Sequence, residues 1–424
     1  MHDRLLWLIT CALLTLPLRS EQYPQALAQE TFLAVWQKVD ESFYDRSFNG
    51  IDWKKLRQEY EAKVANVHSL QELRSTLNEM LGRLGRSHFA VFGNNIEENV
   101  GHGGYLGLEL RISAEKLIIF EVSPDSPAQK AGLKPGMEIL QVGDQLVTEI
   151  LKRHAIRKDA KGGIIHKAIE EITTIAATPK KGITTLKIKG RKKTVRLRPS
   201  YYKGEWGSLG QGQDFPVEFK SKLLTESAKI RLIDFNLFVP SIMPRLVQAI
   251  AQANSENADG LIIDLRGNPG GLGIMATGLA GRLISQELDL GDMNNPSGNF
   301  PFHAFAQENS YLGPLVILVD SMSASTSEIF TAALQEHHRA HIIGRPTMGA
   351  VLPSIVDKLP NGDRFQYAIG DFVTALNKVH LEGRGVIPDQ IVALDAQTLR
   401  KDQDPDLNSA IRWIAQQKTL KNDR

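Results

Sequence analysis

An alternation of short apolar runs with segments of helical period constrains the second half of this 424-residue chain more than any other feature. The apolar runs lie at 229–235, 260–265, 315–319 and 341–343, and the helical segments lie at 241–255, 272–284 and 328–338. Strands that alternate with helices form a mostly parallel sheet, because each crossover helix packs on a face of the sheet. We therefore predict an α/β core domain over 201–424. Within it we expect an irregular loop at 285–314 and a hairpin centred on Asn361-Gly362.

The region that precedes this core has room for two smaller domains. The segment 29–95 is predicted to be a helical domain, because apolar residues recur at steps of three and four, shown best by Leu73, Leu77, Met80, Leu81 and Leu84. Gly85 is expected to end the last helix. Two polar residues, Ser87 and His88, follow on the loop beyond it.

The first 28 residues are predicted to be a secretory signal peptide. An apolar run at 5–18 follows Arg4 and precedes Ala26-Leu27-Ala28, a small-x-small cleavage pattern. The run is short for a bilayer span, and an uncleaved anchor is the alternative. Both interpretations place the folded protein outside the cytoplasm, in the periplasm or secreted. Cleavage removes Cys11, the only cysteine, and so excludes thiolate nucleophiles and cysteine-ligated zinc.

The charge of the chain is nearly balanced, with a formal net of +2. The exception is 151–200, which holds fifteen lysines and arginines against three acids. A nucleic-acid surface usually interleaves aromatic residues for stacking, and this segment has none, so we predict no nucleic-acid binding. A solvated face is the favoured interpretation. Peripheral attraction to an anionic membrane or to an acidic substrate is the next one.

Short β segments dominate 96–200, which we predict to be an inserted β-rich domain. Tyr105-Leu106-Gly107-Leu108, Ser126-Pro127-Ala128 and the AGLKPGMEIL run at 131–140 resemble a PDZ domain. PDZ domains bind extended C-terminal peptides by strand addition and backbone capture of the terminal carboxylate. The resemblance therefore implies peptide binding by Tyr105, Leu106, Gly107 and Leu108. A β domain that only packs on its neighbour is the alternative.

Two strand-turn-helix units in the predicted core carry the residues best suited to chemistry. The first, DLRGNPGG at 264–271, is a glycine turn whose backbone N–H groups can approach a ligand closely. The second contains Ser325, which is predicted to stand at a strand-to-helix turn, as nucleophiles often do. Ser325 and Glu328 also fit the S-x-x-E capping box, so the serine can equally be a helix cap. On local sequence both interpretations stay open.

The two turns together resemble the carboxyl-terminal processing (tail-specific) protease family. The matching segments are DLRGNPGG at 264–271, SASTSEIFTAALQEHHRA at 323–340, GRPTMG at 344–349 and EGRGVIPD at 382–389. The resemblance implies a crotonase/ClpP-like core and a serine endopeptidase that needs no cofactor and acts on polypeptides. Ser325 then matches the nucleophile. The N–H groups of Thr326 and of Gly270 or Gly271 match the oxyanion hole.

One position departs from that family. Its members pair the serine with a lysine in a TFGKG-like run, and this chain has alanine there, in Thr347-Met348-Gly349-Ala350-Val351. Alanine cannot accept a proton, so another base serves or the protein is inactive. The related tricorn-like core proteases use a Ser-His pair near the N-terminus and a glutamate in an E-x-x-G-V-x-P-D run. By that resemblance the catalytic set is Ser325, His88, Ser87 and Glu382.

Three rival hypotheses follow from the same residues. Another base, Lys358 or Lys378, could replace the missing lysine. A binding or scaffold protein that has lost catalysis is suggested by Ala350, and a carrier of apolar ligands is suggested by the pockets of crotonase-like cores. The histidines show no H-E-x-x-H or comparable spacing, so no catalytic metal is expected.

Overall fold

The computed structural model describes residues 23–93, 104–157, 160–179, 182–210, 214–401 and 403–422. The apolar run at 5–18 therefore lies outside the described residues. Among the described residues, no helix combines the length and apolar character needed to cross a membrane.

The first unit is helical, as predicted. Its elements are α1 (Gln25–Ser42), α2 (Trp53–Val64), α3 (Leu70–Gly82) and β1 (Ala90–Phe92), with a 3-10 turn at Phe48–Gly50. Asp52 and Ser69 cap the second and third helices, because their side-chain oxygens accept backbone N–H groups of the first turn. Helix α1 begins at Gln25, four residues before the predicted domain boundary at 29, and Ala28 of the predicted cleavage pattern is fully buried.

The end of this unit delivers His88 to the rest of the molecule. All five periodic residues of the sequence pattern are buried, namely Leu73, Leu77, Met80, Leu81 and Leu84. Gly85 follows with a φ of 62°, in the left-handed region that glycine adopts most readily. The chain then turns through Ser87 and His88 into strand β1.

The second unit, over 104–200, is an antiparallel sheet with three helices. Its elements are β2 (Leu108–Ser113), β3 (Lys116–Val122), α4 (Pro127–Lys130), β4 (Glu138–Val142), β5 (Gln145–Leu146), α5 (Val147–Arg153), α6 (Gly162–Ala177), β6 (Thr184–Ile188) and β7 (Val195–Leu197). The strand order is β2-β3-β4-β6-β7, and β5 pairs with β4. Strand β2 is thus an edge strand, and helix α6 packs beside it.

The third unit is the predicted α/β core. Its strands are β8 (Glu205–Ser208), β9 (Asp214–Val217), β10 (Phe219–Leu224), β11 (Ile230–Phe235), β12 (Gly260–Asp264), β13 (Leu288–Asn295), β14 (Gly298–Ala304), β15 (Leu315–Val319), β16 (His341–Gly344), β17 (Ser354–Lys358), β18 (Arg364–Ala368), β19 (Asp371–Val373) and β20 (Gln390–Ile391). Its helices are α7 (Met243–Ser255), α8 (Ile274–Gly281), α9 (Thr326–Glu336), α10 (Ala396–Leu399) and α11 (Pro405–Asn422), with a 3-10 turn at Pro240–Ile242.

The central sheet has the order β10-β11-β12-β15-β16-β20, and every pair except β10-β11 is parallel. Alternate residues of its buried strands face opposite sides. Ile263 and Ile317 pack with the apolar residues of α7, α8 and α9. Ile262 and Val316 pack with Ala410 and Ile414 of α11 on the other side. The sheet is therefore covered on both faces, as parallel sheets require.

The predicted loop at 285–314 is wrong, because strands β13 and β14 form a hairpin there that also pairs with β19. Its fully buried hydrophobic residues, Leu288, Leu290 and Ala304, are few, and Met293 and Phe302 are only partly buried against the core. The turn residues Pro296 and Ser297 mark only the tip of the hairpin. The hairpin predicted around Asn361-Gly362 is confirmed by the pairing of β17 with β18, and β1 joins its edge.

Candidate active site

The glycine turn at 264–271 and the turn that carries Ser325 lie side by side at one edge of the central sheet. They follow β12 and β15, which pair in parallel, so both turns leave the sheet at its carboxyl edge. Several hydrogen bonds join them directly, among them Ala324 N–H to the Asn268 carbonyl at 3.0 Å, Ser323 Oγ to the Leu265 carbonyl at 2.7 Å and Thr326 Oγ1 to the Gly271 carbonyl at 2.8 Å. The turns therefore form one connected structure.

Ser325 has a strained backbone at the start of helix α9. Its φ of 54° and ψ of −119° are rare for a residue with a side chain. Its N–H is held by the Ala350 carbonyl at 2.8 Å and by Glu328 Oε2 at 3.1 Å. Strain of this kind persists only where surrounding contacts enforce it, and it is concentrated at functional sites.

Two free backbone N–H groups lie near Ser325. A Cβ added to Gly270 would lie 2.8 Å from both Ser325 Cβ and Thr326 N, so the glycine turn approaches the serine closely. The Gly270 N–H donates to Asn268 Oδ1 at 2.9 Å. The N–H groups of Gly271 and Thr326 have no hydrogen-bond acceptor among the residues that the structure describes. Of the two glycines, Gly271 is therefore the one whose N–H is available to a ligand.

The other three predicted residues are joined by hydrogen bonds although they are far apart in sequence. Ser87 N–H donates to Glu382 Oε1 at 2.7 Å, and Ser87 Oγ donates to Glu382 Oε2 at 2.8 Å. The same hydroxyl lies 2.8 Å from His88 Nδ1. Because the single hydroxyl proton goes to the carboxylate, Ser87 accepts from the His88 Nδ1–H. This assignment leaves His88 Nε2 unprotonated.

His88 is held in an unusual backbone conformation and in a partly dry environment. Its φ is 61°, so this side chain, like Ser325, stands on left-handed backbone. Loss of solvent around the ring lowers the pKa of His88 below its ordinary value of 6.5. Burial raises the pKa of the Glu382 carboxyl, and the hydrogen bonds from Ser87 and Val351 oppose that rise. The imidazole is therefore neutral at pH 7.

The loop that carries Ala350 connects Ser325 to the hydrogen-bonded series of Glu382, Ser87 and His88. The Ala350 carbonyl accepts a hydrogen bond from the Ser325 N–H, and the N–H of the next residue, Val351, donates to Glu382 Oε2 at 3.1 Å. Within the described contacts no hydrogen bond joins His88 to Ser325. Hydrogen bonds of a catalytic pair are often long before substrate binds.

Neither lysine considered as a replacement base has a suitable environment. Lys378 is exposed and donates to Asp292 Oδ2 at 2.8 Å, and that hydrogen bond raises the pKa of Lys378. A raised pKa keeps the amine protonated and unable to accept a proton. Lys358 is exposed on β17, beside Arg364 of β18. Among the described residues, no group of three His, Cys, Asp or Glu side chains could hold a metal ion.

Glu328 has a larger part in the site than the capping pattern indicated. Its fully buried carboxylate accepts from Thr347 Oγ1 at 2.5 Å, from Gly349 N at 2.7 Å and from Ala350 N at 2.9 Å, besides the Ser325 N–H. Burial raises the pKa of Glu328 to about 7, although these donors act in the opposite direction. The carboxylate thus fastens the Ala350 loop to the serine turn. The S-x-x-E spacing was the only signal of this in the sequence.

The segment predicted to bind peptide ends lies at the edge of the second unit. Tyr105 pairs with Ser200, Leu106 accepts the Ala128 N–H at 3.1 Å, and Leu108 begins the edge strand β2. The N–H groups of Leu106 and Gly107 find no acceptor within the described part of the chain. The loop therefore offers unpaired donors next to an open strand edge.

Residues 226–392 match the model of Peptidase family S41, and residues 24–82 match that of the Tricorn protease C1 domain. The chain is a serine peptidase. The peptidase is 27% identical over 380 residues to a carboxyl-terminal-processing protease of Synechocystis sp., covering 87% of this chain and 83% of that protein. It is 26% identical to a chloroplastic C-terminal processing peptidase of Tetradesmus obliquus, covering 89% and 80% of the two chains. These matches support the carboxyl-terminal processing protease family.

Solved structures share the peptidase fold. The photosystem II D1 C-terminal processing protease superposes with a TM-score of 0.59 at 21% identity, covering 92% of this peptidase and 97% of that chain. Mature CPAF complexed with lactacystin superposes with a TM-score of 0.66 at 16% identity, covering 94% and 99%. The predicted mixed α/β protease architecture is thereby confirmed, and the family implies polypeptide substrates.

Proposed function

We propose that this serine peptidase is an endopeptidase that attacks peptide bonds with Ser325 and uses His88 as general base and acid. The observation that carries the proposal is the hydrogen-bonded series Glu382, Ser87 and His88, attached to the loop in which Ala350 replaces lysine. A neutral imidazole whose Nδ1–H is already donated has only Nε2 available to accept a proton. Nε2 is the atom that a serine hydroxyl needs.

In the proposed reaction, Ser325 Oγ forms a bond to the substrate carbonyl carbon while its proton passes to His88 Nε2. The negative oxygen of the tetrahedral intermediate accepts from the N–H groups of Gly271 and Thr326. The imidazolium then protonates the leaving amine as the C–N bond breaks, and an acyl-enzyme remains. A water molecule then attacks the acyl-enzyme and gives its proton to His88, which returns a proton to Ser325 Oγ as the ester bond breaks. The acid product and the free serine result. Glu382, acting through Ser87, stabilises the imidazolium in each half-reaction.

The proposal extends to the organisation of the chain. We assign residues 1–28 to a signal peptide for an extracytoplasmic protein, 29–95 to the helical domain, 96–200 to a PDZ domain and 201–424 to the protease core. The edge position of β2, the helix α6 beside it and the unpaired donors at Leu106 and Gly107 support a PDZ-type peptide groove. Chain ends captured there would be the substrates.

Peptide capture at that groove is tested with a fluorescent peptide that has an apolar C-terminus, titrated into the Ser325→Ala protein. We expect binding of the free-acid peptide and at least about tenfold weaker binding of its C-terminal amide, because the amide lacks the charge that the loop N–H groups capture. Fluorescence anisotropy gives both affinities. Equal affinities would exclude carboxylate capture and leave the alternative of a packing domain.

The identity of the base is tested by the pH dependence of kcat/KM for an internally quenched peptide. A base with a lowered pKa is already deprotonated near neutrality, so we expect an acidic limb with an apparent pKa below 6.5 and a plateau by pH 7. An amine base would instead give a limb well above pH 7. A profile that still rises between pH 8 and 9 would contradict the proposal.

A further inference from the structure

We propose that Arg111, on strand β2 of the second unit, is a positioning residue for peptide hydrolysis, acting through Asp320 on both turns of the active site. The inference rests on the proposed role of Ser325 as nucleophile. Arg111 belongs to none of the sequence motifs described above, and it lies more than two hundred positions from the serine turn in sequence.

Asp320 is the residue through which the two turns share one carboxylate. It follows strand β15 directly and is fully buried. Its Oδ1 accepts the Gly267 N–H of the glycine turn at 3.1 Å and the Met322 N–H of the serine turn at 2.9 Å. A shift of this carboxylate would therefore move the turn with the proposed oxyanion donor and the turn with the proposed nucleophile.

Arg111 supplies the direct counter-charge to that carboxylate. Its Nε donates to Asp320 Oδ2 at 2.5 Å, and its side chain is 5% exposed. Arg345 also lies near, at 4.0 Å from Oδ2, but its guanidinium is bound to both oxygens of Asp406 at 2.9 and 2.8 Å. Burial alone would raise the pKa of Asp320, but the charges of the two arginines outweigh it and lower that pKa to about 2, so the carboxylate is charged at neutral pH.

The Arg111 guanidinium makes further contacts besides the one to Asp320. Arg111 Nη1 donates to the Leu110 carbonyl at 3.0 Å, and Nη2 lies 3.2 Å from Glu109 Oε2. The guanidinium carbon also lies 4.6 Å from the centroid of the Phe120 ring in a cation–π contact, and that of Arg266 in the glycine turn lies 5.0 Å from the same centroid. These contacts fix the guanidinium in one orientation.

The guanidinium also lies directly against the glycine turn. A Cβ added to Gly267 would lie 2.7 Å from Arg111 Nη2, and the φ of Gly267 is 79°, so a larger residue there would be strained and would push against the guanidinium. Gly267 lies four residues before Gly271, the free donor of the turn. Loss of the guanidinium removes the only charged donor within hydrogen-bond distance of Asp320 among the described residues, and we expect the turn to shift as Oδ2 gains water or another donor. A displacement of about 1 Å in a catalytic group can cost about 100-fold in rate.

The test compares Arg111→Met with Arg231→Met. Arg231 is an equally buried arginine on strand β11 that pairs with Glu256 and contacts neither turn. We expect Arg111→Met to lower kcat about 10- to 100-fold with KM nearly unchanged, and Arg111→Lys to recover part of the loss because the ammonium restores charge but not geometry. We expect Arg231→Met to lower the melting temperature and leave kcat within about twofold.

A double variant separates positioning from loss of stability. If Arg111 acts through Asp320, Arg111→Met combined with Asp320→Asn should lower kcat by much less than the product of the two single effects. Equal kcat in Arg111→Met and wild type, or multiplicative effects in the double variant, would overturn the inference. If Arg111→Met does not fold, the kcat values of Arg111→Lys, of Asp320→Asn and of their combination are compared in the same way. Activity that survives in Ser325→Ala would instead overturn the proposed function, independently of these variants.

Discussion

Ser325→Ala is expected to lower peptide hydrolysis by at least about 10⁴-fold while the protein folds normally, because the attacking oxygen is lost and only the oxyanion donors and substrate binding remain. The Ser325 hydroxyl takes no part in the hydrogen bonds that join the two turns, which come from Ser323, Ala324, Thr326 and Ser327. The backbone that holds the strained turn is therefore retained in the variant. Hydrolysis of an internally quenched peptide and the thermal unfolding midpoint measure the two properties separately.

The matched control for this variant is Ser321→Ala, which removes a hydroxyl from the same turn. Ser321 is partly exposed and has no role in the proposed reaction. We expect its kcat/KM to stay within about threefold of wild type. Residual activity of Ser325→Ala above about 1% of wild type would show that another group attacks the peptide bond.

His88→Gln is expected to lower kcat by about 10³-fold or more, with a small change in KM. Glutamine fills similar space and can still hydrogen-bond to Ser87, but it cannot accept a proton from Ser325 or return one to the leaving amine. The expected loss lies in kcat because proton transfer takes place only in the transition state. Steady-state kinetics on the same quenched peptide give both parameters.

His303→Gln serves as the comparison for the histidine. His303 lies on the hairpin β13-β14 with its side chain 36% exposed, and its ring faces Glu287 at 3.6 Å. Its replacement should leave kcat unchanged. If His88→Gln kept more than a tenth of wild-type kcat, the imidazole would not be the base, and a different proton acceptor would have to be sought around Ala350.

The fold could be predicted to a large extent because its strongest signals are local. Buried strands such as Leu315–Val319 are continuous apolar runs, and the helix Met243–Ser255 beside the sheet buries one face with a clear helical period. The hairpin at Leu288–Ala304 could not be predicted in the same way. It is stabilised by pairing with Asp371–Val373, a partner more than 65 residues away along the chain, while few of its own apolar residues are fully buried.

The site could be predicted only in part, for the same physical reason. The turn at Ser325 is encoded by neighbouring residues, whereas the approach of Ser87 to Glu382 depends on how the helical unit packs against the core. Resemblance to related proteases supplied that pairing. Glu328 and Arg111 gave no sequence signal beyond a cap and a strand residue, because what they do depends on burial beside backbone N–H groups and on a carboxylate distant in sequence.

Because Ala350 stands where related proteases have a lysine, the proposed mechanism requires the imidazole of His88, from the N-terminal unit, to activate Ser325. The most direct test is the rate at which a serine-directed phosphonate ester labels Ser325 at pH 7 in wild type and in His88→Gln, followed by mass spectrometry of the intact protein. We expect labelling at Ser325 in wild type and labelling at least about 10³-fold slower in the variant. Equal labelling rates in the two proteins would contradict the claim.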